Sequence, residues 1–331
     1  MRSRPDLAVV YEHPEWFRPL FAELDRRGVR YEAIRLGDHH FAIDDAPPPA
    51  PLIFSRLAMS SFLRQAEHSI FYARALFDQW ERAGATIVNG NPALEIDTSK
   101  ARQLSLIRSL GLEIPATRVV HRRQDVPAAA DGLRWPIIVK ANIGGAGAGV
   151  ERYDSPDQLA FALDAGTVPI GIDSVALVQE YIPAGGRVIR METLNGRFLY
   201  AIALDGDGDT FDLCPADACM IGRPRISITR FEPDAATIAE AEAIARAARL
   251  DIGGMEYLLD ARDGARRWYD INALSNSVAD PVNVLGHDPH EALVESLISR
   301  IAARNDPVGA DPNHISAAAT AAANITPEAG V

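Results

Sequence analysis

The chain has 331 residues, 33 basic against 45 acidic for a formal charge of −12, and only two cysteines. That length allows several lobes, while the acidic balance argues against a general nucleic-acid binder, whose affinity comes from cations set against phosphates. Cys214 and Cys219 cannot form a disulfide framework, no run of about 18 apolar residues exists to cross a bilayer, and the start MRSRPDLAVVYEHPEW has no apolar stretch of signal-peptide length, so a cytoplasmic protein is expected. In chain order, residues 7–11 read as a strand, 15–27 as a helix closed by Gly28, and 31–36 and 52–55 as strands. Residues 61–83 read as one long helix stopped by Gly84, and 86–89 as a fourth strand. The alternation predicts a small α/β layer with a parallel sheet, and the run 44–49, ending in three prolines, a surface connection. The first β-to-α turn, YEHPEW, lacks glycine, so nothing there lets a backbone approach a pyrophosphate.

From Asp97 the texture changes. A helix over 99–110, capped by Asp97 or Thr98 and closed by Gly111, precedes a strand over 136–140 that ends in Lys140. There follows a loop containing Gly144, Gly145, Gly147 and Gly149, poor enough in Cβ atoms to lay its N–H groups against phosphate oxygens, with Lys140 as a point charge at its base. The plain alternative is a connector between two strands. Lys100 tilts that balance: it lies in the first turn of its helix, where the dipole disfavours a cation, and makes better sense with an anion bound beside it. Strands follow over 175–179, 188–194 and 198–204, then a helix over 235–250, strands over 255–259 and 267–271, and a last helix from about Pro289. Val178-Gln179-Glu180-Tyr181-Ile182-Pro183 leaves a strand into a link whose backbone could pair with an adenine edge. Arg187 and Arg190 lie three apart, so in a regular strand at most one need face a site. The Ala-rich tail from 305 has no periodicity and is expected to be disordered.

Alternation puts Asp270 and Asn272 on one strand face. A three-residue turn Arg262-Asp263-Gly264, with Gly264 left-handed, sets Glu256 directly opposite Asp270 and Gly254 opposite Asn272, leaving open space beside the carboxylates; a two-residue turn would turn Glu256 away. Opposed carboxylates repel unless neutralised, which magnesium shared with substrate phosphates would do. Solvated strand carboxylates are the plain alternative. The same register pairs Asp260 with Arg266. The histidines make no His-Glu-x-x-His run, LCPADAC lacks a four-ligand zinc set, and no Gly-x-Ser-x-Gly elbow occurs.

With these residues in place the chain resembles the ATP-grasp superfamily, and within it the RimK-type glutamate ligases and other carboxylate-amine ligases. Four segments carry the likeness in order: TSKARQLSLIRSLGLEIPAT, WPIIVKANIGGAGAGV, LVQEYIPAGGRVIRMETLNGRFLYAI and GGMEYLLDARDGARRWYDINALSN. It covers residues 50–304 and includes IFSRLAMSSFLRQAEHSI, which looks like the family's pre-ATP lobe. The resemblance implies an α/β (α+β) ATP-grasp fold: a Rossmann-like pre-ATP lobe over 1–95, a central lobe over 96–182, a C-terminal lobe over 183–304, and the tail. It implies ATP gripped between the last two lobes, its phosphates on Lys100, Lys140 and the 144–149 loop and its adenine framed by Gln179, Glu180 and Ile182. Glu256, Asp270 and Asn272 would hold two Mg2+ ions, with Mn2+ an alternative, and Arg190 would lie near the transferring phosphoryl group. The implied reaction joins a carboxylate to an amine or amino acid through an acyl phosphate, on a peptide or protein terminus or on a small molecule as in glutathione or D-alanyl-D-alanine synthesis. An idle ATP-binding regulator is the reading from another class.

Where the family usually has Asp, then Glu-x-Asn, this chain has Glu256 and Asp270-Ile271-Asn272. It also reads Ala-Leu-Ser-Asn after Asn272 and Asp-Leu-Cys-Pro after Phe211, departures that fall where the acceptor would bind. Arg56, Arg223, Arg225, Ser275 and Asn276 are candidate acceptor contacts, with Cys214 packing nearby. Homo-oligomers are left open; membrane association is not expected.

Overall fold

A computed structural model describes residues 4–305 except 14, 44–46, 65–67, 146, 207–225, 275–277 and 279. The tail beyond 305, both cysteines and Arg223, Arg225, Ser275 and Asn276 therefore lie outside the described residues.

Strands β1 (Leu7–Tyr11), β2 (Tyr31–Arg35), β3 (Leu52–Arg56) and β4 (Thr86–Val88) form the parallel sheet the sequence predicted, in the order β2-β1-β3-β4. β1 reads as an unbroken apolar run because both of its faces are covered. Ala8 and Val10 pack with Leu76 and Phe77 of helix α2 (Ser69–Arg82). Leu7 and Val9 pack with Leu20 and Leu24 of helix α1 (Arg18–Arg26) and with Leu293, Val294 and Leu297 of the helix at Pro289–Asn305. The single helix expected over 61–83 is instead a short 3-10 turn at Ser61–Leu63 followed by α2. Arg64, just after the 3-10 turn, pairs with Glu12 and lies over the Trp16 ring at 5.0 Å, which ties it to the first β-to-α turn.

Helices α3 (Asn91–Asp97) and α4 (Lys100–Ser109) lead to the central sheet. Neither Asp97 nor Thr98 caps α4. Asp97 ends α3, and the Ser99 hydroxyl accepts the Arg102 N–H instead. β5 (Thr117–Val120), helix α5 (Val126–Ala130), β6 (Ile137–Ala141), β7 (Val150–Tyr153), helix α6 (Pro156–Asp164) and β8 (Ala176–Glu180) follow, the strands forming an antiparallel sheet β5-β8-β6-β7. The last sheet, order β11-β10-β9-β12-β13, is antiparallel: β9 (Arg187–Leu194), β10 (Arg197–Asp205), β11 (Ser227–Phe231), helix α7 (Ala235–Ala247), β12 (Ile252–Leu259) and β13 (Arg266–Asn272). Helices α8 (Pro281–Leu285) and α9 (Pro289–Asn305) complete the chain described.

The β12–β13 hairpin pairs Glu256 with Asp270 and Gly254 with Asn272, but not through the turn expected. Asp260 N–H donates to Ala265 C=O, so the loop is 261–264, one residue longer, with Gly264 at φ +72. A bulge between Glu256 and Tyr257 then inserts Tyr269 and restores the pairing beyond it. Asp260 does not pair with Arg266. It holds the Arg262 guanidinium within its own turn, with Nε donating at 2.8 Å, while Arg266 reaches Glu240 on α7 at 2.7 Å.

Candidate active site

Three adjacent strands, β9, β12 and β13, present one face to the central sheet. The register aligns Arg190, Glu256 and Asp270 in one row across them and Glu192, Gly254 and Asn272 in the next. The intervening residues Met191, Met255 and Ile271 point the other way into a core with α7. Between this face and the central sheet lies a cleft of about 240 Å3, lined by Lys100, Lys140, Arg190, Glu256, Asp270 and Asn272, with Gly144, Gly145 and Gly147 above and Gln179, Glu180 and Ile182 along one side. Gly149 stands at the base of the loop rather than in the lining, at φ +70, with its carbonyl accepting the Ala141 N–H at 2.8 Å. A Cβ on Gly145 would lie 3.2 Å from the Ser60 Cβ, so the glycine loop closes directly onto the N-terminal lobe, whose Trp16, Met59 and Ser60 also line the cleft.

Most of these charges are paired: Arg190 and Glu192 are buried, Lys100, Glu256 and Asp270 partly so. Arg190 donates from Nε to Glu192 at 2.6 Å and from Nη1 to Glu256 at 2.9 Å, while the Tyr269 hydroxyl donates to the other Glu256 oxygen at 2.7 Å. Lys100 Nζ is paired with Asp270, and Asn272 Nδ2 donates to Asp270 at 3.1 Å, which leaves the amide oxygen for another partner. Burial raises the Glu256 pKa, against the pull of Arg190. Burial also raises Asp97, on the cleft wall, to about 7. For Lys100 burial works downward, but Asp270 prevails and the ammonium is held above its ordinary range. Among the described residues Lys140 forms no ion pair with a carboxylate; burial and the Lys100 charge, against the attraction of Asp270 and Glu256, push it down to about 7, with its ammonium 5.5 Å from the centre of the Tyr269 ring. A phosphate would supply the counter-charge that Lys140 lacks.

The space expected beside Gly254 is filled. A Cβ there would come within 2.6 Å of Glu192 Oε1 and 2.8 Å of Arg190 Nε, so the glycine is what lets the guanidinium lie flat across β12. Two opposed, partly buried carboxylates and an amide oxygen are hard donors of the kind magnesium accepts, and in this structure Lys100 and Arg190 balance their charge. Among the described residues no three His, Cys, Asp or Glu side chains gather as a metal site, so a metal here depends on the asparagine.

Arg56 stays out of the cleft lining. It is buried, with its guanidinium 5.3 and 5.0 Å from the centres of the Phe17 and Phe54 rings, and burial lowers its pKa to about 9 despite the attraction of Glu192. Arg187 lies at the mouth of the cleft and Arg190 inside it, so both line it although they are three apart. Sequence reasoning passed over Glu192, Asp97 and Tyr269. The first needed the β9–β12 pairing, the second was assigned to a cap, and strict alternation turned the third away until the bulge reversed it.

No family model matches the chain. It is 29% identical over 133 residues to a probable alpha-L-glutamate ligase of Alcanivorax borkumensis, covering 40% of this chain and 43% of that protein. With a probable alpha-L-glutamate ligase of Citrobacter koseri it is 31% identical over 142 residues, 41% of this chain and 46% of that protein. The chain thus spans less than half the length of these curated relatives. The structure superposes on the ATP-grasp ligase PsnB, complexed with a phosphomimetic variant of its minimal precursor, Mg and ADP, with TM-score 0.66 and 17% identity over 90% of this chain and 99% of that one. The D-alanine–D-alanine ligase of Bacillus anthracis complexed with ATP gives 0.64 and 16% over 91% and 100%. A RimK domain ATP-grasp protein of Sphaerobacter thermophilus gives 0.63 and 14% over 88% and 99%. At these identities the likeness shows the fold, which is ATP-grasp. No helix among the described residues is long and apolar enough to cross a membrane.

Proposed function

We propose, from an ATP-grasp fold whose cleft gathers two lysines, a glycine loop and two opposed carboxylates, that the chain is a cytoplasmic ATP-dependent carboxylate–amine ligase. The observation that carries this is Lys140: a buried ammonium that forms no ion pair among the described residues, at the foot of a loop rich in backbone N–H groups, facing the Glu256–Asp270 pair. A substrate carboxylate oxygen attacks the γ-phosphorus and the bond to ADP breaks. The amine then attacks the acyl carbon and phosphate leaves, the amine's surplus proton passing to solvent. Lys100, Lys140 and the 144–149 loop bind and orient the triphosphate, and Arg190 offsets charge on the transferring group. Closure of the loop on Ser60 keeps water from the acyl phosphate. Glu256, Asp270 and Asn272 are the residues that would hold Mg2+, two ions or Mn2+ in their place, whose charge would offset the phosphates. Gln179, Glu180 and Ile182 would frame the adenine, with lobes over 1–95, 96–182 and 183–304. The acceptor is an amino acid, another amine or a peptide terminus, with Arg223, Arg225, Ser275 and Asn276 as the candidate contacts.

An ADP-release screen over carboxylates and amines, with hydroxylamine present to trap the acyl phosphate, tests this. A hydroxamate is the expected product of an active pair, and ADP release that yields none would overturn the acyl-phosphate route. Nucleotide binding with no ADP formed from any pair would favour the idle regulator.

A further inference from the structure

We infer that Gln103 is a positioning residue for this site: from α4 it grips the backbone between Asp270 and Asn272 and so sets both side chains, and Lys100 with them, at the floor of the cleft. The inference rests on the nucleotide and metal reading above. β13 is the outer strand of its sheet, so its outward N–H and C=O groups have no neighbouring strand to meet. At Ile271 both are taken by one side chain: Gln103 Nε2 donates to the Ile271 carbonyl at 2.8 Å and Oε1 accepts the Ile271 N–H at 3.1 Å. The amide thus stands in for a missing strand. The same Nε2 reaches the Asp97 carbonyl at 3.4 Å, so the group is fully used in a buried position. The next outward N–H, at Trp268, is met by the Glu113 carbonyl at 3.0 Å, the spacing that the Tyr269 bulge creates.

Ile271 is fixed at both ends of its geometry. Its side chain packs in the core with Met191 and Met255, and its peptide groups are held by Gln103, so the backbone between Asp270 and Asn272 is held from both sides. Gln103 also stands one helical turn after Lys100, so the same grip sets the height of the ammonium against Asp270. Leu104 and Ile107 already supply the apolar packing of α4, and an apolar residue at 103 would leave two backbone groups orphaned. The polar choice serves the strand that carries the candidate metal ligands.

The test compares Gln103→Met with Leu104→Ala, a buried neighbour on the same helix whose loss destabilises α4 while leaving the Gln103 hydrogen bonds to Ile271 in place. ADP affinity is measured by calorimetry with and without Mg2+ in the full chain. Gln103→Met should lose about tenfold or more of the affinity gained from Mg2+, as outer partners of metal ligands commonly do, while Leu104→Ala keeps that gain despite lower stability. Retention of the whole gain in Gln103→Met, or an equal loss in Leu104→Ala, would overturn the inference. If the unsubstituted protein shows no Mg2+-dependent ADP binding, the metal reading fails, and the grip is judged by amide hydrogen exchange at Ile271. Exchange should be faster in Gln103→Met than in the parent, and unchanged exchange would overturn the grip itself.

Discussion

Replacing Lys140 by methionine should stabilise the fold while weakening nucleotide binding. Lys140 is enclosed, and burial together with Lys100 moves its pKa from 10.5 down to about 7. Between those values the unfolded chain carries a proton that the folded chain does not. Stability therefore rises with pH across that window and stays at its lowest below about 7. At about 1.36 kcal/mol per unit, the gap weighs roughly 4–5 kcal/mol against the folded state near neutral pH. That is an upper bound, because the Tyr269 ring returns about 1 kcal/mol to the ammonium, and exchanging buried charge for apolar volume typically gains about 1–4 kcal/mol. Lys140→Met should thus be about 2–4 kcal/mol more stable to urea near neutral pH, and the advantage should shrink as the pH rises toward and past 10.5, above which the lysine is neutral in both states. The same variant should bind ADP about tenfold to a hundredfold more weakly, the worth of a charge-assisted bond to phosphate. A variant less stable than its parent near neutral pH, or one whose advantage is the same at both ends of the window, would refute the reasoning.

Asp270→Asn should stop ADP release in any active substrate pair while still unfolding cooperatively, and its ADP binding without Mg2+ should be no weaker than the parent's; unchanged amide formation would sink the metal assignment. Two glycines of one hairpin should separate space from conformation. Gly254→Ala forces a Cβ to within 2.6 Å of Glu192 and should cost about 1–3 kcal/mol together with Mg2+-dependent ADP binding. Gly264→Ala has open space but φ +72 and should cost about 1–2 kcal/mol with binding intact. Equal binding in both, measured by calorimetry, would show that Arg190 does not depend on the gap at Gly254. Asn89 joins the N-terminal lobe to the C-terminal sheet, donating to the carbonyls of Ile252 and Ala273 at 2.6 and 2.7 Å and accepting from Asp251 at 2.8 Å. Asn89→Ala should therefore lower unfolding free energy in urea by at least about 3 kcal/mol, and a loss under about 1 kcal/mol would count against that junction.

How much of this was legible in the sequence divides along physical lines. The parallel N-terminal sheet could be read because strands covered on both faces and helices with one apolar stripe leave distinct patterns. Short strands such as β5 and β7 could not, since four residues at a sheet edge hardly alternate. The cleft residues were legible because each has a local reason to be odd: a lysine in the first turn of a helix, a lysine before a glycine loop, and like charges set for opposition across a hairpin. Glu192, Asn89 and Gln103 had no such mark. Each acts across a sequence separation that only the pairing of sheets reveals, Gln103 on a strand 168 residues away.

The hairpin shows how a correct pairing can follow from an incorrect turn. The expected three-residue loop and the observed loop at 261–264 differ by one residue, and strand alternation alone would have carried that difference to the far end and turned Glu256 away from Asp270. The bulge at Tyr269 cancels it. The cancellation has its own effect, since the inserted residue is the one whose hydroxyl reaches Glu256 and whose ring underlies Lys140. A tighter turn with a regular ladder would oppose the same two carboxylates but point the tyrosine into the core. The longer loop and the bulge are therefore parts of one arrangement, which adds an aromatic floor to the site without disturbing the carboxylate pair.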